Sequence, residues 1–263
     1  MQNLCGRKGN ENMKLYEIYF SPTGGTKRTA EIISSVWECE KEEVDLCNVN
    51  VDFSKYKPQE EDVCIIAVPS YGGRVPEAAI ERISKIKGKN SKAILMCVYG
   101  NRDFDDTLTE LEDCVKKSGY RISGAVAAIA EHSIIHSFAK GRPDSEDKAE
   151  LLKFAERIKA RTENDIKMKD EIPGSHTYRE YNGVPFKPEK NKKCTDCGVC
   201  AKSCPVNAID KNNVTDKSKC ISCMRCVEIC PVGARSLNKA MLFVAEKKMS
   251  KQCSVRKKNQ MFL

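Results

Sequence analysis

Eight cysteines fall into two copies of one spacing. Cys194, Cys197, Cys200 and Cys204 form a C-x2-C-x2-C-x3-C-P run, and Cys220, Cys223, Cys226 and Cys230 repeat it 26 residues later. Three thiolates on one tight loop can hold three irons of a cubane, while the fourth cysteine of such a run ligates the other cluster. The pattern predicts one [4Fe–4S] cluster on Cys194, Cys197, Cys200 and Cys230, and a second on Cys220, Cys223, Cys226 and Cys204. Pro205 and Pro231 end each grip by fixing φ and removing a backbone donor. Zinc is the rival metal, but it is usually held by two well-separated ligand pairs closing one tetrahedron. The repeat continues past the cysteines: CPVNAID at 204–210 answers CPVGARS at 230–236, with Arg235 where the first copy has Ile209. A cation at that place raises the potential of one cluster if its side chain points inward.

This segment resembles the bacterial two-cluster ferredoxins, and the resemblance implies a small α+β domain over residues 191–238. Seven further cysteines (Cys5, Cys39, Cys47, Cys64, Cys97, Cys114 and Cys253) are scattered without a pairing pattern. Free thiols beside clusters fit a reducing, anaerobic cytoplasm. The N-terminus shows no signal-peptide pattern, and no apolar run approaches the ~20 residues of a membrane span.

At 263 residues the chain suits about two domains. Residues 1–12 are polar and patternless, an extension ahead of the domain that starts at Met13. KLYEIYF (14–20) reads as a strand and runs into SPTGGTKRTAEIISSVW, where helical spacing begins. Ser21, Thr23 and Thr26 offer hydroxyls, and Gly24 and Gly25 let backbone N–H groups turn inward at a helix N-terminus, which together make a phosphate cradle. The loop has neither the Lys-[Ser/Thr] ending of a Walker loop nor the G-x-G-x-x-G of a dinucleotide site. EEVDLC (42–47) is a second strand, and DVCIIAVPS (62–70) is the continuous apolar run of a parallel strand buried on both faces. A fourth strand and helix occupy 91–119, a fifth strand follows Gly119, and a last helix covers 142–163, with Asp144 or Ser145 as its cap. The alternation predicts a doubly wound parallel sheet, with ligands at the carboxyl ends of its strands.

Ser-x-Thr-Gly-x-Thr after the first strand resembles the FMN phosphate loop of flavodoxins. That resemblance covers about 13–163 and implies a five-stranded sheet in the order 2-1-3-4-5. It also implies that the 69–74 and 99–104 loops flank the isoalloxazine ring. Carried over, Pro69, Ser70, Tyr71, Gly72 and Gly73 form one wall, and Tyr99, Gly100, Asn101 and Phe104 the other. Tyr71 and Tyr99 either stack on the ring or pack their loops. Gly72 and Gly73 can flip a peptide toward the flavin, and Asn101 either bonds the ring edge or fixes its loop. His132 and His136 are expected in a loop near the flavin mouth, as structural residues or a proton source.

Residues 164–190 read as a linker too mixed to be a Gly/Ser tether, with Tyr178, Tyr181 and Phe186 pinning it to one domain. Residues 239–263 read as a solvated basic tail rather than a membrane-surface helix. The charge is uneven: residues 1–163 carry 25 Lys and Arg against 27 Asp and Glu, and residues 164–263 carry 20 against 10. That excess suits an acidic redox partner; no nucleic-acid-binding motif accompanies it. Taken whole, the chain is similar to flavodoxin–ferredoxin fusions of the ferrodoxin type. The resemblance implies an electron-transfer protein using FMN and two [4Fe–4S] clusters. An FMN oxidoreductase fed by its own clusters is the alternative, a redox-sensing interaction protein a third reading, and a homodimer the alternative to transfer within one chain.

Overall fold

The computed structural model describes residues 13–263; the expected extension 1–12 lies outside them. Four parallel strands come first, β1 (Lys14–Tyr19), β2 (Glu40–Asp45), β3 (Val63–Pro69) and β4 (Lys92–Tyr99), and β5 (Arg121–Ile129) is the fifth. Between and after them run the helices α1 (Gly25–Ser34), α2 (Glu77–Ile83), α3 (Thr107–Lys117) and α4 (Ser145–Glu163). The strand order is 2-1-3-4-5, that of a flavodoxin-like sheet, as expected.

Period-two alternation divides the core in two. Tyr16 and Ile18 of β1, Cys64, Ile66 and Val68 of β3, and Leu95 and Cys97 of β4 face α2 and α3. Leu15 and Tyr19, Val63, Ile65 and Ala67, and Ile94 and Met96 face α1 and α4. Each central strand is buried on both sides, which is why β3 and β4 read as unbroken apolar runs. The edge strand β2 is charged instead, and Lys14 and Lys27 pair with its glutamates. Asp144 caps α4 by accepting from the N–H groups of Glu146 and Asp147, each at 3.1 Å, with the Asp147 side chain closing the capping box.

The ferredoxin-like segment is built of short elements. A two-residue ribbon pairs β6 (Glu189–Lys190) with β7 (Arg235–Ser236), and two single-turn helices, α5 (Val199–Lys202) and α6 (Arg225–Glu228), follow the two cysteine loops. The repeat seen in the sequence is a repeat of backbone. Asp196 and Ser222, Gly198 and Met224, and Asn207 and Gly233 all have φ > 0, each pair 26 residues apart. Ala208 N–H donates to Cys204 Sγ, and Ala234 N–H to Cys230 Sγ, both at 3.2 Å.

Two expectations are corrected. Residues 239–263 are no solvated tail: they form α7 (Lys239–Cys253) and β8 (Gln260–Phe262). β8 adds to β5 as an antiparallel sixth strand of the sheet, with Ala125 opposite Phe262 and Ala127 opposite Gln260. The physical reason is polar as well as apolar. Asn101, only 2% exposed, donates through Nδ2 to the carbonyls of Cys253 (2.6 Å) and Val255 (2.8 Å). Buried Arg142 bonds the Lys257 carbonyl (3.0 Å) and ion-pairs with buried Asp147, while Asn259 accepts from Ile129 N–H (2.9 Å) and donates to Asp147 (3.0 Å). On the near side Leu242, Ala245 and Met249 of α7 pack on Ile135 and Phe138. Among the described residues no helix is long and apolar enough to cross a membrane.

The 164–190 segment is likewise fastened. Asp106 accepts from the N–H groups of Ser175 and Arg179 (both 2.7 Å), Asp113 accepts from Tyr178, and Arg74 donates to the Arg179 carbonyl (2.8 Å). Asn101→Ala removes the donor from the carbonyl of buried Cys253 and from that of the more exposed Val255, and the expected cost is about 1–3 kcal/mol in urea unfolding. The basic stretch after Cys253 should then be cut faster by trypsin; unchanged protection would mean that β8 alone holds the end of the chain.

Candidate functional site

Several concavities open among the described residues. Beside one of about 680 Å³, with which it shares Thr23, Gly25 and Glu131, a pocket of about 510 Å³ opens at the carboxyl ends of β1, β3, β4 and β5. Its size is that of an ordinary small-molecule site. One end is polar. Thr23, Gly25 and Thr26 line it at the start of α1, a ten-residue helix with no acidic residue in its first turn, no side-chain bond from its N-cap Gly24, and Ser21 Oγ on the Lys27 N–H. That leaves a helix end free to receive an anion. The other end is aromatic and apolar: Tyr71 and Tyr99 from the sheet loops, Tyr181 and Phe186 from the segment after α4, and Met249 from α7.

The expected loop residues divide. Thr23, Gly25, Thr26, Pro69, Ser70, Tyr71, Gly72, Tyr99 and Gly100 line the pocket. Ser21, Gly24, Gly73, Asn101 and Phe104 do not. Ser21 Oγ accepts from Lys27 N–H at 2.9 Å and shapes the loop from behind. Gly24, with φ 82, makes the turn into α1. Gly73 is packed under Asp105 and Arg179, where a Cβ would come within 2.3 Å of the carboxylate. Asn101 serves the C-terminal segment, as described above, and Phe104 is buried against the Tyr99 ring with centroids 5.5 Å apart. At Gly72, φ is 62 and a Cβ would lie 2.4 Å from the Tyr181 ring, so glycine is what lets that ring close over the loop.

Several lining residues were not singled out as cofactor contacts in the sequence. Arg102 and Arg179 stand at the rim, both paired with Asp105. Ile221 and Ser222 come from the second cysteine loop, and Gln252 from α7. His132 does lie at the mouth, its ring against Gly100. Its Nδ1 accepts from the N–H groups of Ile134 and Ile135, both at 3.1 Å. Burial first, and His136 second, push its pKa down to about 4. It is therefore neutral near pH 7 and anchors the 132–135 turn. His136 is exposed and bonds Glu131 at 2.8 Å.

The two smaller cavities lie in the ferredoxin-like segment. Cavity I is lined by Cys194, Cys197, Cys200 and Cys230, and cavity II by Cys204, Cys220, Cys223 and Cys226. Each cavity thus takes three cysteines from one run and the last cysteine of the other. The thiols line a space instead of converging on a point: among the described residues no group of three or more His, Cys, Asp or Glu side chains could hold a single metal ion. Soft thiolates around such a space suit a cluster ligated at its corners. Cavity II faces inward, with Cys223 8% exposed and Met224 4% exposed, whereas Val199 and Val232 beside cavity I are 38% and 41% exposed. Ile221 lines both cavity II and the pocket at the strand ends. Arg82, buried on α2, joins the halves by donating to the carbonyls of Leu46 and Pro205.

Residues 193–234 match the 4Fe-4S dicluster domain family. No curated protein matches the chain. Similar solved structures include a flavodoxin of Streptococcus pneumoniae TIGR4 (18% identity, 56% of this chain, 99% of that one, TM-score 0.43). Others are oxidised flavodoxin 1 of Bacillus cereus (16%, 56% and 97%, 0.41) and a Fusobacterium nucleatum flavodoxin bound to flavin mononucleotide (15%, 56% and 97%, 0.39). The fold assignment rests on the strand order. The chain is a flavodoxin-like domain joined to a 4Fe–4S dicluster segment.

Because His132 titrates near 4 when folded against 6.5 ordinarily, the unfolded chain binds a proton that the folded chain does not. Stability should fall as pH drops from about 6.5 toward about 4 and level off below, as far as this group is concerned. His132→Gln should flatten that part of a stability profile measured by urea unfolding at stepped pH.

Proposed function

We propose that the chain is an electron-transfer protein in which FMN occupies the pocket at the strand ends and [4Fe–4S] clusters occupy cavities I and II. Electrons pass among the three and to or from an external redox protein. When bound, FMN takes up two electrons and releases them singly, and each cluster moves one. The observation that carries the reading is the shared lining: Ile221 lines both the pocket and cavity II, so the two sites adjoin.

The residues divide the work. Thr23, Gly25, Thr26 and the first N–H groups of α1 bind the phosphate. Tyr71 and Tyr99 flank the ring, and Tyr181, Phe186 and Met249 exclude water from it. Burial holds Tyr99 protonated, its pKa pushed up to about 12, so it stays a neutral ring wall. Cys204, Cys220, Cys223 and Cys226 hold the inner cluster, and Cys194, Cys197, Cys200 and Cys230 the outer one. Around the outer cavity, exposed Val199 and Val232 lie in a segment rich in lysine, including exposed Lys192, Lys193, Lys202 and Lys211. An apolar centre with a basic surround suits an acidic redox protein, whose encounter is steered by charge.

The test is anaerobic. Reconstituted protein should carry about one FMN and about eight iron atoms per chain. A reduced low-potential ferredoxin should bleach flavin and cluster bands together, without turnover on added quinones. Cys223→Ala should halve the iron and keep FMN. A flavin-free protein, or one that turns over a small molecule at enzyme rates, would replace the carrier reading with another.

A further inference from the structure

The two cysteine repeats differ most in what lies behind the ligands. At the fifth residue after the last cysteine of each run, the first copy has Ile209 and the second has Arg235. Both side chains are buried, Ile209 at 8% and Arg235 at 3% exposure. Ile209 lines cavity II and Arg235 lines cavity I. Arg235 points inward: Nη2 donates to Cys200 Sγ at 3.4 Å and to the Asn213 carbonyl at 2.7 Å. Nη1 donates to Thr215 Oγ1 at 2.7 Å and to the Pro188 carbonyl at 3.4 Å. Its Nε is buried and has no partner among the described residues. No carboxylate pairs with it either, among those residues.

A buried guanidinium without a counter-ion is costly. Four thiolates and a cubane carry net negative charge, so a loaded cavity I supplies the missing anion. We propose, on the reading of the function given above, that Arg235 sets the two clusters apart in potential. Acting through Cys200, it makes the outer cluster the first to take up an electron. Reduction adds one electron, delivered by a reductant such as dithionite, and makes or breaks no bond. A fixed cation and an N–H···S hydrogen bond favour the more negative, reduced form.

Cavity II has an arginine too. Arg225 stands on its wall, at the place where the first copy has Val199. It is only partly buried, although its Nε, like that of Arg235, is buried without a partner among the described residues; its Nη1 goes to the Pro22 carbonyl at 3.4 Å, and among those residues only its backbone N–H, not its guanidinium, bonds a cysteine sulfur, that of Cys223. Water screens a partly exposed charge far more than a buried one. The order of potentials therefore follows Arg235. The inner cluster, beside the flavin pocket, is the relay, and the outer cluster, beside the exposed face, is the terminal.

The experiment is an EPR-monitored redox titration of the reconstituted full chain, with iron content measured on every sample. Cys197→Ala and Cys223→Ala, each lacking one cluster, assign the two steps. The outer cluster should be reduced at the higher potential. Arg235→Ile, which copies the first repeat, should move that step down, and should move the inner step less, since Cys226 feels the Arg235 charge but has no hydrogen bond from it. Arg235→Lys should keep most of the separation, and Arg225→Val should move the inner step less than Arg235→Ile moves the outer. An outer step at the lower potential in the wild type would overturn the proposal without any Arg235 variant. So would an unmoved step in Arg235→Ile with full iron. Wild-type protein that binds no cluster would overturn the functional reading itself.

Discussion

The antiparallel pairing of Gln260–Phe262 with β5 closes the chain on itself, and the arrangement of the sites depends on it. A strand of three residues contributes little alone. The polar cluster beside it does more: Asn101, Arg142, Asp147 and Asn259 together make or accept hydrogen bonds to the backbone on both sides of the junction. Each is worth about 0.5–1.5 kcal/mol net, and considerably more when its loss strands a buried partner. The segment after α4 is fastened to α3 at the other end, through Asp106 and Asp113. Held at both ends by one sheet, the cysteine-rich segment stays over the pocket mouth instead of exploring the volume open to a tethered domain. Tethering alone gives effective concentrations on the order of mM; a fixed pose goes further by removing the search.

The cysteine-rich segment has almost no core of its own. Its buried apolar cluster comprises Cys200, Cys204, Ala208 and Ile209, and its regular elements are single turns and a two-residue ribbon. What fills the place of side chains is the pair of thiol-lined cavities. The left-handed residues repeated at 26-residue spacing wrap the backbone around them. A segment so constructed gains its stability from the groups it ligates, as small metal-binding domains do. The sheet half, by contrast, has a two-sided apolar core of its own.

What the sequence made legible was local. The cysteine spacing within each run and the strand–helix alternation depend on residues a few positions apart, and the crossed grouping, which joins Cys194 to Cys230, was legible because the fourth cysteine of such runs ligates the other cluster. What stayed hidden was long-range. Nothing around QMF marks it as a strand, because its partner is β5, more than a hundred residues away. Asn101 sits in a pocket loop and reads as a ligand contact, yet its donors go to carbonyls near the chain end. Phe104 reads as a second ring wall and is a core residue behind Tyr99. The basic run from Lys247 to Lys258 reads as solvated because lysine stems can cover a packed helix and still reach water. Arg235 was visible as a departure from the repeat; its inward direction was not.

The central claim is that pocket and cavity II serve one electron path inside one chain. The most direct measurement is the rate of electron exchange between flavin and clusters by anaerobic stopped flow, after rapid reduction of the outer cluster, over a wide range of protein concentration. The account predicts a single rate constant that does not change with concentration. A rate that rises in proportion to concentration would place the exchange between molecules and contradict it.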